Sequence, residues 1–585
     1  MKVLTRPIFL ILLVALLLRL WGISYALPQF FVNDERANVY GALKMLELKT
    51  LVPAWHGEEF KKVLNYLPLP SYVYLVFLTP VIGIGYLFSG AGNFAAYQTA
   101  LVLDPTIIFL AARLLIALMG TAMVLVTYQL GRRMFSSERT GLLAAIFLAV
   151  SFYHVQLSHV TRHWMPAALF LSLVWLAALA VYRRGFWRDY LGAGLFAGLG
   201  VGANTAAAVA MIPIALGHLL RPAGGTLWGR LLDRRFLAAI SVFLVAAAAF
   251  VILYPYGLTQ GESPAGNGAF LETKLQQLAG KGIGEWLKFL GFYARLLLTY
   301  ETTLFLAAGA GALLLIRSGS RELKTWLGVI VIFTLGYFTL LYLFFNIIER
   351  AILFILPLLA VLAGYVADRT LLYVQSRIRP TLTAAIVLHA SCFMLLFAWP
   401  LAVSFRYDYL LTRPDTRILA AEWLYANTPP DAKILADLRY LRLTNTKAGI
   451  WALEAIDPTG LRIQDRTLLA VPDERYPQPN REVLNLHFVS PDSPLRGDPA
   501  EPFSTLRGYQ FFAAEYRYLD QRDLDPQSRA LVEAGKLRAR FTGFSERAFD
   551  RALDVSGEIS TVPPWRLWEL ERFGLVVDVY ELSAH

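Results

Sequence analysis

The stretch PIFLILLVALLLRLWGISYAL, residues 7–27, is long and apolar enough to form a helix across a bilayer. A helix rises about 1.5 Å per residue, so 20 residues span the roughly 30 Å of hydrocarbon. The windows 236–256 and 382–403 meet the same requirement, and hydrophobic residues make up 56% of the 585 positions. That share exceeds the apolar content of an ordinary soluble domain. We therefore expect a polytopic membrane protein.

Charged residues are distributed unevenly along the chain. Roughly half of the Asp, Glu, Lys and Arg residues fall after residue 403. We predict an all-α transmembrane domain over 1–403 and a soluble domain over 404–585. In the latter, RPDTRILAAEWLYANTPPDAKILAD gives an amphipathic stretch, a turn and an apolar run, which is typical of a small α/β unit. The single cysteine, Cys392, excludes an intrachain disulfide.

Arginine and lysine clusters predict the orientation, because basic residues in short loops resist translocation. Six clusters are assigned to the cytoplasmic side: those around 2–6, 132–139, 183–188, 221–235, 317–324 and 369–379. The spans placed between them are about 7–27, 106–130, 139–155, 165–182, 189–203, 205–220, 236–256, 293–316, 325–345, 350–368 and 380–403. These eleven crossings, with twelve or thirteen as alternatives, place the N-terminus in the cytoplasm and the C-terminal domain outside a plasma or inner cell membrane.

The apolar segment 71–88 does not fit this count, because one more crossing would invert every later cluster. Pro80, Gly83 and Gly85 disfavour a straight helix there, so we predict a re-entrant or interfacial segment. An extra short crossing before 106 is the alternative. On this topology the long first loop 28–105, the turn HVQLSHVTRHW (154–164), the loop 257–292 and FNIIER (345–350) all face outside.

The first outer loop opens with an adjacent acid pair, Asp34 and Glu35, at the start of ERANVYGALKMLEL, which predicts a surface helix. Acids near a bilayer are expensive to desolvate and are often functional, although a pair just outside the apolar run can simply be solvated. Adjacent residues on a helix point about 100° apart. We therefore expect one carboxylate to face a reacting centre while the other pairs with a base or caps the helix.

In the second outer turn, His159, Arg162 and His163 stand at i, i+3 and i+4, which predicts one helical face. Zinc ligation is disfavoured, since no third ligand and no HEXXH motif accompany the two histidines. Two readings remain open: an interfacial belt in which Arg162 snorkels and Trp164 anchors, or an anion site built on the guanidinium. Arg350, at the start of an apolar helix, either pairs with Glu349 or holds a lipid phosphate.

Several activities are disfavoured. No Walker A loop, GxGxxG fingerprint or GxSxG elbow is present. No aromatic and basic stripe indicates nucleic acid, and the formal charge of +11 is accounted for largely by cytoplasmic arginines facing anionic lipid.

Four segments, in order, resemble glycosyltransferase family 39, the polyprenyl-phosphate-sugar-dependent membrane enzymes of the GT-C fold that include protein O-mannosyltransferases and the aminoarabinose transferase. They are NDERANVYGALKML, the segment from ARLLIALMGTAMV to HVTRHWMPAALFLSL, ERAILFILPLLAVLAG, and the start of the C-terminal domain quoted above. Two departures are visible. Trp164 stands where members often carry an acid, and NYLPLP, with Tyr66, replaces the HPP or YPP of the first loop.

The resemblance implies a single inverting displacement that moves a sugar from a polyprenyl-phosphate donor to an extracytoplasmic protein, lipid or glycan. Asp34 would be the general base and Glu35 would position it or the acceptor. Substrate would be bound by Arg162, His163, His159, Arg350 and Tyr66. No cofactor is implied, and a divalent metal stays open. The alternative is a polyprenyl-lipid or glycan transporter without transferase chemistry, although no internal repeat of the transporter type is present.

Overall fold

The computed structural model describes residues 7–32, 35–222, 226–258, 281–345, 347–378, 382–441, 443–456, 461, 463–489, 493, 506, 508–549, 554, 559 and 562–582. Its α-helices are α1 Pro7–Leu20, α2 Glu35–Glu47, α3 Gly57–Lys61, α4 Leu69–Phe88, α5 Phe94–Leu103, α6 Thr106–Phe135, α7 Glu138–Ala149, α8 Phe152–Leu157, α9 Trp164–Arg183, α10 Trp187–Ala203, α11 Met211–Leu219, α12 Leu227–Leu231, α13 Arg234–Leu253, α14 Ile283–Tyr300, α15 Thr302–Ser318, α16 Arg321–Phe344, α17 Leu356–Ile378, α18 Leu382–Leu411, α19 Thr416–Asn427, α20 Lys447–Ile456, α21 Ile463–Leu469, α22 Pro526–Ala534 and α23 Glu546–Phe549. The five strands are β1 Lys433–Asp437, β2 Glu482–Asn485, β3 Phe511–Tyr516, β4 Lys536–Phe541 and β5 Val576–Glu581.

Seven helices of the described chain are individually long and apolar enough to cross a membrane: Leu69–Phe88, Thr106–Phe135, Trp164–Arg183, Arg234–Leu253, Arg321–Phe344, Leu356–Arg377 and the segment Ala390–Asn427. An eighth span is formed if α14 and α15, which are bent by 117° at their junction, count as one. These helices confirm a multi-pass membrane protein. The count of eleven spans and their sidedness stay predictions.

Several local expectations differ from the structure. The predicted span 293–316 is broken, because α14 ends at Tyr300 and α15 starts afresh at Thr302. The first helix ends at Leu20, short of the predicted 27, and Gly22 then adopts a left-handed φ of 83°. Segment 71–88 lies in one continuous helix that passes through Pro80, although Pro removes a backbone donor.

The predicted loop 257–292 is also partly helical. Residues 259–280 of this loop lie outside the described residues. Residues 283–292, however, already belong to α14. The amphipathic pattern IGEWLKFLGFYARLLLTY accounts for this start, because it buries Phe289 and Tyr293 on one face.

The chain forms two compact units. The predicted domains 1–403 and 404–585 stay predictions. The first comprises residues 1–21, 34–80 and 111–405. Its helices approach each other through small residues: Gly194 and Gly198 of α10 meet Ala239 and Ala246 of α13 with no room for a Cβ atom. Close approach at glycine pairs is the usual way in which apolar helices associate without a hydrophobic driving force.

The second unit comprises residues 22–33, 81–110 and 406–585. It contains a mixed five-stranded sheet of order β2-β1-β3-β5-β4. β1 runs parallel to β2 and β3, whereas β5 is antiparallel to β3 and β4. Helix α19 precedes β1, as TRILAAEWLYAN and KILAD predict. The structure therefore confirms the predicted fold class, a helical membrane protein with a C-terminal α/β region.

Candidate active site

Glu35 opens α2 and is fully buried in the first unit. Arg113 of α6, equally buried, donates Nε to Glu35 Oε1 at 2.7 Å and Nη2 to Oε2 at 2.9 Å. Such a bidentate, charge-assisted pair fixes both groups in one plane. Both carboxylate oxygens are thus engaged by one guanidinium, which holds Glu35 in one orientation as an anchor.

Thr161 joins this anchor to the turn between α8 and α9. Its hydroxyl donates to the main-chain carbonyl of Glu35 at 2.6 Å, and its backbone N–H points to Glu35 Oε1 at 3.4 Å. Residues far apart in sequence are therefore in direct contact, and Arg162 follows Thr161 immediately. The structure therefore brings Glu35 of the acid motif against the basic turn. Asp34, the predicted base, lies outside the described residues.

The predicted helical face for His159, Arg162 and His163 is wrong. Helix α8 ends at Leu157, α9 begins at Trp164, and the residues between them are turn and irregular backbone. The physical reason lies in the polar run SHVTRH, whose hydroxyl groups bond to backbone carbonyls and compete with helix. Ser158 Oγ donates to the His154 carbonyl at 2.6 Å, and Thr161 is committed to Glu35.

His163 packs on the Tyr66 ring and has the guanidinium groups of Arg162 and Arg350 nearby. Its ring packs on Tyr66 with centroids 4.0 Å apart, and Nδ1 is buried without a hydrogen-bond partner in the described part of the chain. Burial lowers the pKa of His163 well below its ordinary value, and the nearby guanidinium groups of Arg350 and Arg162 lower it further. The imidazole is therefore neutral at physiological pH, and both arginines lie near it.

Together, Arg162 and Arg350, beside a neutral imidazole and a tyrosine ring, form a cluster suited to a phosphate group, since guanidinium matches phosphate oxygens.

His159 has a different position. Its Nδ1 lies 2.9 Å from the Val155 carbonyl and its Nε2 lies 3.1 Å from the Trp21 carbonyl. Both ring nitrogens therefore face backbone oxygens rather than the arginine cluster. Burial lowers the pKa of His159 to about 4, against the raising effect of these two carbonyls.

The sequence interpretation missed three residues that shape the site: Arg113, Thr161 and Glu301. Arg113 interrupts the apolar run TIIFLAARLLIALMG, and a charge there is expensive enough to signal function or pairing. Glu301, a lone acid between α14 and α15, accepts hydrogen bonds from Ser151 Oγ at 2.7 Å and the Tyr153 N–H at 2.8 Å. Within the described residues, no group of three or more His, Cys, Asp or Glu side chains could hold a metal ion.

A family comparison bears on this site. Residues 93–256 match the family model described as dolichyl-phosphate-mannose-protein mannosyltransferase. The matched segment includes Arg113 and the turn that carries Thr161, Arg162 and His163. It confirms the resemblance to family 39 enzymes that the sequence motifs predicted. The search of curated proteins found no significant match.

Solved structures give further similarities. The chain is similar to ArnT from Cupriavidus metallidurans bound to undecaprenyl phosphate, with 14% identity, a TM-score of 0.46 and 98% coverage of each chain. It is similar to the Archaeoglobus fulgidus oligosaccharyltransferase solved with zinc and sulfate, with 12% identity, a TM-score of 0.44, and 86% of this chain and 68% of that chain covered. A third similarity is to arabinofuranosyltransferase AftD from Mycobacteria, with 16% identity, a TM-score of 0.37, and 98% and 41% covered.

The family match and the apolar helices together support a membrane glycosyltransferase. The donor, the transferred sugar, the acceptor and the role of each residue are matters for proposal.

Proposed function

We propose that this protein transfers a sugar from a polyprenyl-phosphate donor to a hydroxyl group of an extracytoplasmic acceptor, with inversion at the anomeric carbon. The observation that carries the proposal is the pair of contacts from Thr161 to Glu35, which joins the acid motif to the arginine turn. A transferase of this kind needs a base near the acceptor and cations near the leaving phosphate. In the sequence, the candidate base Asp34 is adjacent to Glu35, and the cation Arg162 is adjacent to Thr161.

The reaction is a single displacement. The acceptor oxygen attacks the anomeric carbon as its proton passes to the Asp34 carboxylate. The bond from the anomeric carbon to the phosphate oxygen breaks, and its electron pair leaves on the polyprenyl phosphate. No external oxidant, reductant or cofactor is required by this balance. General-base catalysis contributes about 10²- to 10⁴-fold.

Asp34 is our choice of base because Glu35 is already committed. Both oxygens of Glu35 accept hydrogen bonds from Arg113, and protonating a carboxylate in that pair would leave a buried cation uncompensated. Glu35 instead acts as a positioning residue. It fixes the start of α2 against Thr161.

The leaving phosphate is assigned to Arg162 and Arg350. Both lie close enough to His163 to lower its pKa, so the two guanidinium groups act on one small region. Neutral His163 can donate or accept one hydrogen bond without adding charge. Tyr66, whose ring packs on His163, forms an apolar wall of the same region. We assign His159 a structural role, since both its nitrogens face backbone carbonyls.

The proposal also includes the predicted orientation of the chain in the membrane. The basic clusters predict a cytoplasmic N-terminus and an external C-terminal region, which places the acid motif and the arginine turn on the outer side of a plasma or inner membrane. The lipid tail of the donor would remain in the bilayer while its phosphate reaches Arg162 and Arg350.

The test is sugar release from a panel of radiolabelled polyprenyl-phosphate monosaccharides by the full chain in lipid nanodiscs, with cell-envelope extract as the acceptor source. We expect one donor to be consumed by the wild type, and the Asp34→Asn variant to be at least about 100-fold slower while its melting temperature is unchanged. Parallel reactions with EDTA and with Mg²⁺ test whether a divalent metal is needed.

Three outcomes would count against the proposal. Equal turnover by Asp34→Asn would remove the base assignment. Binding of a donor without its consumption, in the presence of acceptor, would favour the transporter. Consumption that requires an added nucleotide sugar would overturn the polyprenyl-phosphate donor.

A further inference from the structure

A concave surface of about 470 Å³ lies in the second unit, between the start of α23 and the 3₁₀ turn Pro564–Trp568. Two tryptophans of its lining are unusually accessible for such large apolar rings: Trp565 is 56% exposed and Trp568 is 47% exposed. Exposed aromatic pairs of this kind mark contact surfaces, because leaving them in water forfeits the burial energy of large rings.

The charges of this surface favour an anionic partner. Arg547, Arg566 and Glu569 line it together with the tryptophans. Arg566 is offset by Glu569, with Nε and Oε2 3.8 Å apart, and its Nη2 bonds to the Asp554 carbonyl. Exposed Arg547 therefore carries the net positive charge of the lining.

The position of the surface indicates what this partner is. Arg406 donates Nε to the Leu567 carbonyl at 3.1 Å and Nη2 to the Leu570 carbonyl at 2.6 Å. Arg406 belongs to α18 and stands three residues after the apolar run 382–403, which is long enough to cross a bilayer. The tryptophan turn is therefore bonded to α18 about one helical turn beyond this apolar run.

We propose that Trp565, Trp568 and Arg547 form a lipid-docking surface, by which the second unit rests on the headgroup layer of the bilayer. Tryptophan is enriched at this layer because its ring is apolar while its N–H is polar. A basic residue near an anionic membrane contributes attraction that decays within the Debye length of the solution. The occupant is the bilayer, and the ligand groups are lipid phosphates and the carbonyl region of the acyl chains.

The experiment uses the full chain in nanodiscs that contain lipids brominated close to the headgroup, which quench nearby indole fluorescence. The signal of the two tryptophans is obtained by subtracting the fluorescence of the Trp565→Phe, Trp568→Phe double variant from that of the wild type. We expect this difference signal to be quenched strongly by brominated lipid and weakly by aqueous iodide.

Trp451 provides a matched control, because it is also 56% exposed and lies on α20 of the same unit. The difference signal from Trp451→Phe should be quenched by iodide and unaffected by brominated lipid. Replacing Arg547 by Ala should weaken docking of the tryptophans about five-fold in discs rich in anionic lipid, and leave it unchanged in zwitterionic discs.

Two results would overturn the proposal. Iodide quenching of the Trp565 and Trp568 signal equal to that of Trp451, without lipid quenching, would show that the surface faces water. Protection from iodide only after a saccharide acceptor is added would assign the surface to a glycan instead. Neither readout depends on transferase activity.

Discussion

The Thr161 hydroxyl donates a 2.6 Å hydrogen bond to the main-chain carbonyl of Glu35, 126 residues earlier in the chain. This contact brings the start of α2 against the polar turn that precedes α9. Glu35 is held from its other side by Arg113 at 2.7 Å and 2.9 Å. The site is therefore anchored from α6 and from the turn before α9.

The Glu35–Arg113 pair should be strongly coupled. Glu35→Gln or Arg113→Gln alone leaves one buried charge without its partner, and we expect each to lower the free energy of unfolding by about 3–5 kcal/mol. The double variant Glu35→Met, Arg113→Met should recover most of that loss, because an apolar pair of similar volume needs no charge compensation. Turnover should stay low in all three.

Stability in this comparison is measured by denaturant unfolding in detergent, and activity by donor consumption. Additive losses in the double variant would show that the two residues contribute independently, which would contradict the bidentate pair. Recovery of both stability and turnover would remove Glu35 from the positioning role.

Arg162 and Arg350 should not tolerate lysine. Lysine keeps the positive charge but loses the planar fork that binds two phosphate oxygens. Since a hydrogen bond to a charged group contributes about 1.5–3 kcal/mol, Arg162→Lys and Arg350→Lys should each reduce kcat/KM about 10- to 100-fold. Exposed Arg188 is the control, and Arg188→Lys should have no effect. Equal kcat/KM in all three variants would exclude phosphate binding by these arginines.

The sequence was sufficient for the membrane class and the α/β region, because long apolar runs and charge asymmetry leave few alternatives. It was insufficient for the turn at 158–163. The spacing of His159, Arg162 and His163 matches a helix period, yet the hydroxyls of Ser158 and Thr161 bond to backbone carbonyls and the segment is irregular. The local bond of Ser158 and the long-range bond of Thr161 together prevailed over periodicity.

Contacts between residues far apart in the chain could also not be predicted from the sequence. Nothing in the local pattern indicates that Arg113, rather than another basic residue, pairs with Glu35. Likewise, the break at Glu301 was unforeseen, because TYETTLF reads as the middle of an apolar run. In the structure Glu301 bonds to Ser151 and to the Tyr153 N–H, which accounts for a carboxylate at that position.

Acid should destabilise the protein partly through His159. Burial lowers its pKa to about 4, with Arg19 and Arg113 contributing, whereas the unfolded chain has the ordinary value of 6.5. Between these values the unfolded state binds more protons, so the free energy of unfolding falls as the pH is lowered from 6.5 towards 4. Above pH 6.5 this contribution is fully present. Its size is at most about 3 kcal/mol.

The variant His159→Gln should therefore show a shallower loss of melting temperature between pH 6.5 and 4 than the wild type. Buried His163 will retain part of the slope, since burial lowers its pKa too. His56 is exposed, so His56→Gln serves as the control and should keep the full slope. Identical slopes in all three proteins would show that His159 titrates normally in the folded state.

Two buried tyrosines allow the effect of one hydroxyl to be isolated. Tyr337 is fully buried and donates to the Ala351 carbonyl at 2.9 Å, whereas the Tyr74 hydroxyl, equally buried, has no partner in the described part of the chain. Tyr337→Phe should lower the free energy of unfolding by about 1–3 kcal/mol, because it leaves a carbonyl unsatisfied. Tyr74→Phe should be neutral or stabilising, since it removes a buried polar group that forms no bond. Both are measured by unfolding in the same detergent, and destabilisation by Tyr74→Phe equal to that by Tyr337→Phe would contradict the unpaired hydroxyl.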